Sequence, residues 1–142
     1  MFYVADRTEM QEIDRLTIEE KGVPGILLME RAAITVLEEI NSRLKSINAD
    51  RKLKCLVVVE GGNNGGDGYV VARLAVAAGI RVTLLAQESD KPLPEEASAA
   101  REAWLNAGGV IHAPDIVWPE DVDLIVDGLL GTGLRSAPRE NV

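Results

Sequence analysis

Hydrophobic positions along this chain follow two periods that alternate. Met10, Ile13 and Leu16 recur at helical spacing and predict a helix over residues 9–20 with those three side chains inward. Thr8-Glu9-Met10-Gln11 reads as its capping box, and Gly22 with Pro24 ends it. Ala33, Leu37, Ile40 and Leu44 predict a second helix over residues 25–46, with Glu38, Glu39 and Arg43 outside. The period then changes. Cys55-Leu56-Val57-Val58-Val59 is short and rich in β-branched residues, as a buried parallel strand is. Residues 69–78 are Ala/Leu-rich and run to Gly79, which predicts a buried helix. Residues 81–86 form a second strand, and Ala97, Ala100 and Trp104, following Leu93, mark a helix over residues 94–107 that Gly108-Gly109 ends. Residues 110–113 are a short strand or extended piece, and residues 124–130 a further buried strand. This alternation predicts an α/β fold, Rossmann-like, with three αβα layers and a mainly parallel sheet. Two helices before the first strand depart from a plain Rossmann unit.

Between the first strand and its helix stand five glycines in the eight residues 61–68. A turn needs one or two residues with positive φ. The surplus implies that the backbone comes close to something, because a missing Cβ permits the approach. Its amides, and the side chains of Asn63, Asn64 and Asp67, then face a ligand beside a helix N-terminus. The plainer alternative is a helix capped by Asp67. Named nucleotide motifs fit poorly. Gly66 and Gly68 begin G-x-G-x-x-G, but Val71 holds the third place, and Asp67 stands where a P-loop has lysine.

A second glycine-containing stretch, Gly131-Thr132-Gly133-Leu134-Arg135-Ser136-Ala137, follows the last predicted strand. Asp127 lies in that strand, where a buried carboxylate is costly unless paired, hydrogen-bonded or bound to a cation. It either serves a site or caps a turn. Two such loops at one sheet edge make a site. Glu88, after the second strand, is either a ribose-binding acid or exposed loop. His112, without partner ligands in the sequence nearby, reads as structural.

Composition narrows the function. With 142 residues the chain can bury one core, and 46% hydrophobic residues exclude a disordered chain. The net charge of -8 disfavours nucleic acid without excluding an anionic substrate. Cys55 is the only cysteine, which fits a reducing compartment and a buried, inert thiol. No signal-peptide plan and no apolar run of membrane length appear, so the expected location is cytoplasmic and no membrane partner is expected.

Asn63-Asn64-Gly65-Gly66-Asp67-Gly68-Tyr69-Val70-Val71-Ala72-Arg73 resembles the signature loop of the YjeF N-terminal domain family. Two further segments are similar to that family. One is Gly22-Val23-Pro24 through Leu28-Met29-Glu30-Arg31-Ala32-Ala33, with Arg31 and Ala33 where the family often has Asn and Gly. The other is Asp127-Gly128-Leu129-Leu130-Gly131-Thr132-Gly133-Leu134, with Gly128 in place of Ala. Glu60 stands where Gly is common. The resemblance implies one domain over residues 1–142 and interconversion of the R and S forms of hydrated NADH and NADPH (NADHX and NADPHX) in cofactor repair. It assigns substrate contacts to Asn63, Asn64, Gly65, Gly66 and Asp67, and to Gly131, Thr132, Gly133, Leu134, Arg135, Ser136 and Ala137. It assigns a potassium ion to Asn64 and Asp127, whose oxygens suit a hard cation. It further implies a dehydratase partner, fused or separate, and leaves open a homodimer through the N-terminal helices. The family's catalytic Asp lies in a later motif, so the resemblance places it downstream of Val142 and implies weak binding and poor catalysis by these 142 residues. A catalytically inactive interaction module and an ordinary NAD(P) oxidoreductase are the competing readings. The failed G-x-G-x-x-G disfavours the oxidoreductase.

Overall fold

The computed structural model describes residues 4–87, 91–116 and 118–131. In chain order these form α1 (Arg7–Glu19), α2 (Gly25–Asp50), β1 (Lys54–Val59), α3 (Asn63–Ala77), β2 (Arg81–Ala86), α4 (Glu95–Asn106) and β3 (Leu124–Gly128). The strands make one parallel sheet in the order β2-β1-β3. The α/β fold with two leading helices is therefore borne out. β1 is central because it can be buried on both faces: Leu56, Val57 and Val59 are all at most 1% exposed. It aligns Val57 with Leu84 of β2 and with Val126 of β3.

The alternation along β1 sorts the core into two sides. Cys55, Val57 and Val59 face a cluster with Met29, Ala33 and Leu37 of α2, Tyr69 through Ala72 and Ala75 of α3, and Ala100 and Trp104 of α4. Leu56, Val58 and Leu85 face the other way, against Ile116, Val122 and Leu129. Burial alone pushes the Cys55 thiol up to about 12, which keeps it protonated and inert. Gly79, at φ 87°, ends α3, with the Ile80 amide donating to the Ala75 carbonyl as a helix-terminating glycine allows. Residues 110–113 reach the outer edge of β2 through one bridge, in which the His112 amide donates to Leu84 and its carbonyl accepts from Ala86.

Four expectations change. The first helix is capped by Asp6, not Thr8: Asp6 Oδ1 accepts from the Glu9 amide at 2.9 Å and Glu9 Oε2 from the Asp6 amide at 2.8 Å. Two overlapping capping patterns competed, and the reciprocal bonds to Glu9 favour the earlier one. Met10 and Ile13 are exposed rather than inward, because α1 packs on no other element to a substantial extent. The second helix runs on to Asp50, past a break in helical geometry at Leu44. The last strand is half open: Ile125 is 59% exposed, since β3 is an edge strand and its second face carries no helix among the described residues.

The amino edge of the sheet is closed by charge. Arg51 donates both guanidinium arms to Asp123, at 2.8 and 2.5 Å, and the Lys54 amide donates to Asp123 Oδ2 at 2.8 Å. The Arg51 bonds, then the Lys54 amide, hold the Asp123 carboxyl down at about 2. A depressed carboxyl stabilises the fold fully above its unfolded value, near 4, and loses that contribution as pH falls toward 2. Arg51→Gln is therefore expected to lower the melting temperature at pH 7, with the difference from the parent chain closing between pH 4 and pH 2 in melts followed by circular dichroism.

The glycines behind β1 generate a second expectation. A Cβ on Gly65 would lie 1.9 Å from the Glu60 carbonyl oxygen, and one on Gly68 2.4 Å from Val59 Cγ1. Gly→Ala in a helix ordinarily stabilises by about 1 kcal/mol. Gly65→Ala instead meets backbone and is expected to destabilise by about 3 kcal/mol in urea titration, the upper range for overpacking.

Candidate functional site

The carboxyl ends of parallel strands are where α/β proteins place ligands. Here β1 ends at Val59 and the chain passes through Glu60, Gly61 and Gly62 straight into α3. Gly62 takes φ 97°, which a side chain resists, and it stands at the N-cap. The helix thus begins at Asn63, four residues before the Asp67 cap considered from sequence. Asp67 lies in its second turn and caps nothing. Local helix propensity argued against this start, because Gly65, Gly66 and Gly68 are poor helix formers. Close packing overrides propensity, since each of these glycines lies where a Cβ would collide.

The surplus of glycine therefore serves contacts inside the protein. Gly65 lets α3 fold onto the Glu60 carbonyl, Gly68 lets it lie on Val59, and Gly66 receives Met29 of α2 and Ala97 of α4. No side chain caps α3. The amides of Asn63, Asn64 and Gly65 consequently sit at an uncapped helix N-terminus, a disposition suited to an anion.

The two glycine stretches meet here. β1 and β3 pair Val58 with Asp127 and Val59 with Gly128. The Asn64 carbonyl oxygen lies 3.1 Å from a Cβ built on Gly128. The Asn64 side chain comes within 2.9 Å of one built on Gly131, with Oδ1 at 3.6 Å. Asn64 thus stands over the end of β3, next to Asp127. Thr132, Gly133, Leu134, Arg135, Ser136 and Ala137, like Glu88, lie outside the described residues.

Asp127 corrects one premise. It is exposed, not buried, because β3 is an edge strand among the described residues. Its Oδ1 accepts from the Leu129 amide at 2.9 Å, the turn-capping alternative. Its other oxygen and the Asn64 amide oxygen are each donors of the kind a hard cation accepts. Among the described residues no three His, Cys, Asp or Glu side chains come together as a metal cluster. Glu60, Asp67 and Asp127 make this edge acidic. A cleft of about 610 Å³, lined by Lys52, Arg81, Val82 and Pro119 among others, lies instead at the amino edge of the sheet.

Sequence reasoning did not identify what holds α3. Glu30 of α2 pairs with Arg73 of α3. Both residues stood within the quoted segments, and the seven-residue step from Gly66 to Arg73 is a helical repeat that could have pointed to α2 as the partner.

Burial, and then the Asp14 carboxylate of α1, push the Asp67 carboxyl up to about 6. A raised carboxyl favours the protonated fold, so its ionisation costs stability as pH rises from about 4 to 6. Asp67→Asn is expected to stabilise the chain at pH 7 by roughly 1 kcal/mol, the full shift being discounted for remaining solvent contact. That gain should shrink to nothing below pH 4, as read by urea titration across pH.

The family model described as "YjeF-related protein N-terminus" matches residues 25–142. The bifunctional NAD(P)H-hydrate repair enzyme Nnr of Escherichia coli (strain K12) is 80% identical over 87 residues, covering 61% of this chain and 17% of that protein. The NAD(P)H-hydrate epimerase of Rhodobacter capsulatus is 37% identical over 129 residues, 89% of this chain and 60% of that one. The crystal structure of yeast ynu0 (YNL200c) superposes with a TM-score of 0.80 over 98% of this chain and 61% of its own, at 23% identity, which speaks for the fold alone. The chain thus spans 17% to 27% of the bifunctional relatives' length and 60% of the epimerase's.

Proposed function

The chain belongs to the family of YjeF-related protein N-termini, and from that premise we propose that it is one domain that binds NADHX and NADPHX for interconversion of their R and S forms. The observation that carries this reading is the meeting of Asn64 with Gly128 and Gly131. It brings the two glycine stretches to one sheet edge, beside an uncapped helix N-terminus. Relatives named as NAD(P)H-hydrate epimerases and bifunctional repair enzymes support the reaction.

In this reading the amides of Asn63, Asn64 and Gly65 and the Asn63 and Asp67 side chains orient the substrate. Residues Gly131 through Ala137 surround its pyrophosphate, with Arg135 offsetting the charge. Asn64 and Asp127 hold potassium, which when bound offsets the negative charge that Glu60, Asp67 and the pyrophosphate bring together. The acid/base that moves the proton is assigned to none of these residues. A dehydratase acting on one epimer consumes the product, as the relatives' bifunctional names suggest. The site is cytoplasmic, and the exposed apolar residues of α1 serve a homodimer. No described helix is long and apolar enough to cross a membrane.

The test uses NADPHX in potassium buffer. The 142-residue chain is expected to bind it, with affinity lowered about tenfold or more by Asn64→Ala or by sodium in place of potassium, roughly the loss of one charge-assisted contact. Interconversion, followed with a dehydratase specific for one epimer, is expected once the chain is extended through the next strand. Absence of binding in both chains, with their circular dichroism unchanged, would overturn the reading in favour of an interaction module.

A further inference from the structure

Asn63, Asn64 and Asp67 sit on the part of α3 least able to hold itself in place. Residues 63–68 include Gly65, Gly66 and Gly68, and no side chain caps the helix start. Its rotation and tilt must be set from outside.

Two consecutive residues of α2 reach it. The Met29 methyl lies 2.8 Å from a Cβ built on Gly66, while the Glu30 carboxylate pairs with the Arg73 guanidinium. Gly66 and Arg73 are seven residues apart, two turns, and so share one face of α3. One step of α2 therefore grips one face of α3 at two heights, by an apolar contact at the first and an ion pair at the second. Ala97 of α4 closes Gly66 from its other side, at 2.9 Å. A rotation or slide of α3 breaks both grips together. The ion pair is half-buried, and Arg73 Nε is buried without a partner, so removing Glu30 leaves a poorly solvated cation.

We propose that the Met29–Glu30 step of α2 positions the site: acting through Gly66 and Arg73, it sets the rotation of α3 and hence where Asn64 and Asp67 stand. Glu30 and Arg73 are positioning residues. Arg73 lies six residues beyond Asp67, about 9 Å along the helix, and has no need to touch a ligand. What the positioned groups bind rests on the epimerase reading, while the grip itself does not.

The test is made on the 142-residue chain by amide hydrogen exchange and ¹H–¹⁵N spectra. Glu30→Gln is expected to speed exchange of the amides at Gly66, Asp67 and Gly68 about tenfold and to move the Asn64 and Asp67 resonances, with Val57 and Leu84 still protected. Met29→Ala should move the same resonances. The charge swap Glu30→Arg with Arg73→Glu should restore them. Arg51→Gln, which breaks an ion pair at the opposite edge of the sheet, controls for general loss of stability and should leave them in place. Unmoved Asn64 and Asp67 resonances in Glu30→Gln, or equal movement in Arg51→Gln, would overturn the proposal. If Glu30→Gln moves them as expected but the parent chain fails to bind NADPHX, the epimerase reading falls and the positioning role stands.

Discussion

Everything at the carboxyl edge of this sheet depends on how near α3 lies to β1. The helix starts two residues after the backbone of Glu60 and Gly61, and it folds back so tightly that a single Cβ at Gly65 would occupy the place of the Glu60 carbonyl oxygen. The same closeness at Gly66 and Gly68 brings α2, α4 and β1 against its first turns. A helix made of such residues is unstable alone. It exists because three neighbours hold it. The reward for that arrangement is an uncapped N-terminus over the strand ends, with Asn64 reaching the adjacent strand.

Charge is distributed to match. The amino edge of the sheet is tied by Arg51, Asp123, Lys54 and Asp121, in pairs that satisfy each other. The carboxyl edge holds Glu60 after β1, Asp67 in α3 and Asp127 in β3, and burial together with the Asp14 carboxylate raises the Asp67 carboxyl. Carboxyls with a perturbed proton affinity are common at functional sites.

The relation between the two helices that precede the sheet is unequal. α2 belongs to the core through Met29, Ala33 and Leu37 and reaches the site through Glu30. α1 is a helix with a capping box whose Met10, Ile13 and Ile18 are exposed and whose Leu16 is half-buried, and its Asp14 carboxylate acts on Asp67. A helix that fully buries none of its residues leans on its caps and its ion pairs, such as Arg15 with Glu12 and Glu19.

The sequence by itself determined the elements and their order. β-branched runs marked β1 and β2 with the observed bounds or within one residue, and Gly79 and Gly108 marked the helix ends, because these signals act within a few residues. It also determined that glycine was needed between Gly61 and Gly68 for close approach. What was approached was decided only in three dimensions: Met29 of α2, Ala97 of α4 and Val59-Glu60 at the end of β1 come to those glycines from three separate places in the chain. The start of α3 at Asn63 was hidden for the same reason, since tertiary packing had to overrule a local propensity that points the other way. Asp127 read as buried because its neighbours in sequence are apolar, and it is exposed because its strand lies at the sheet edge. Periodicity reports which residues share a face. Which face is covered, and by what, depends on strand order and on contacts between distant segments, and these belong to the tertiary structure alone.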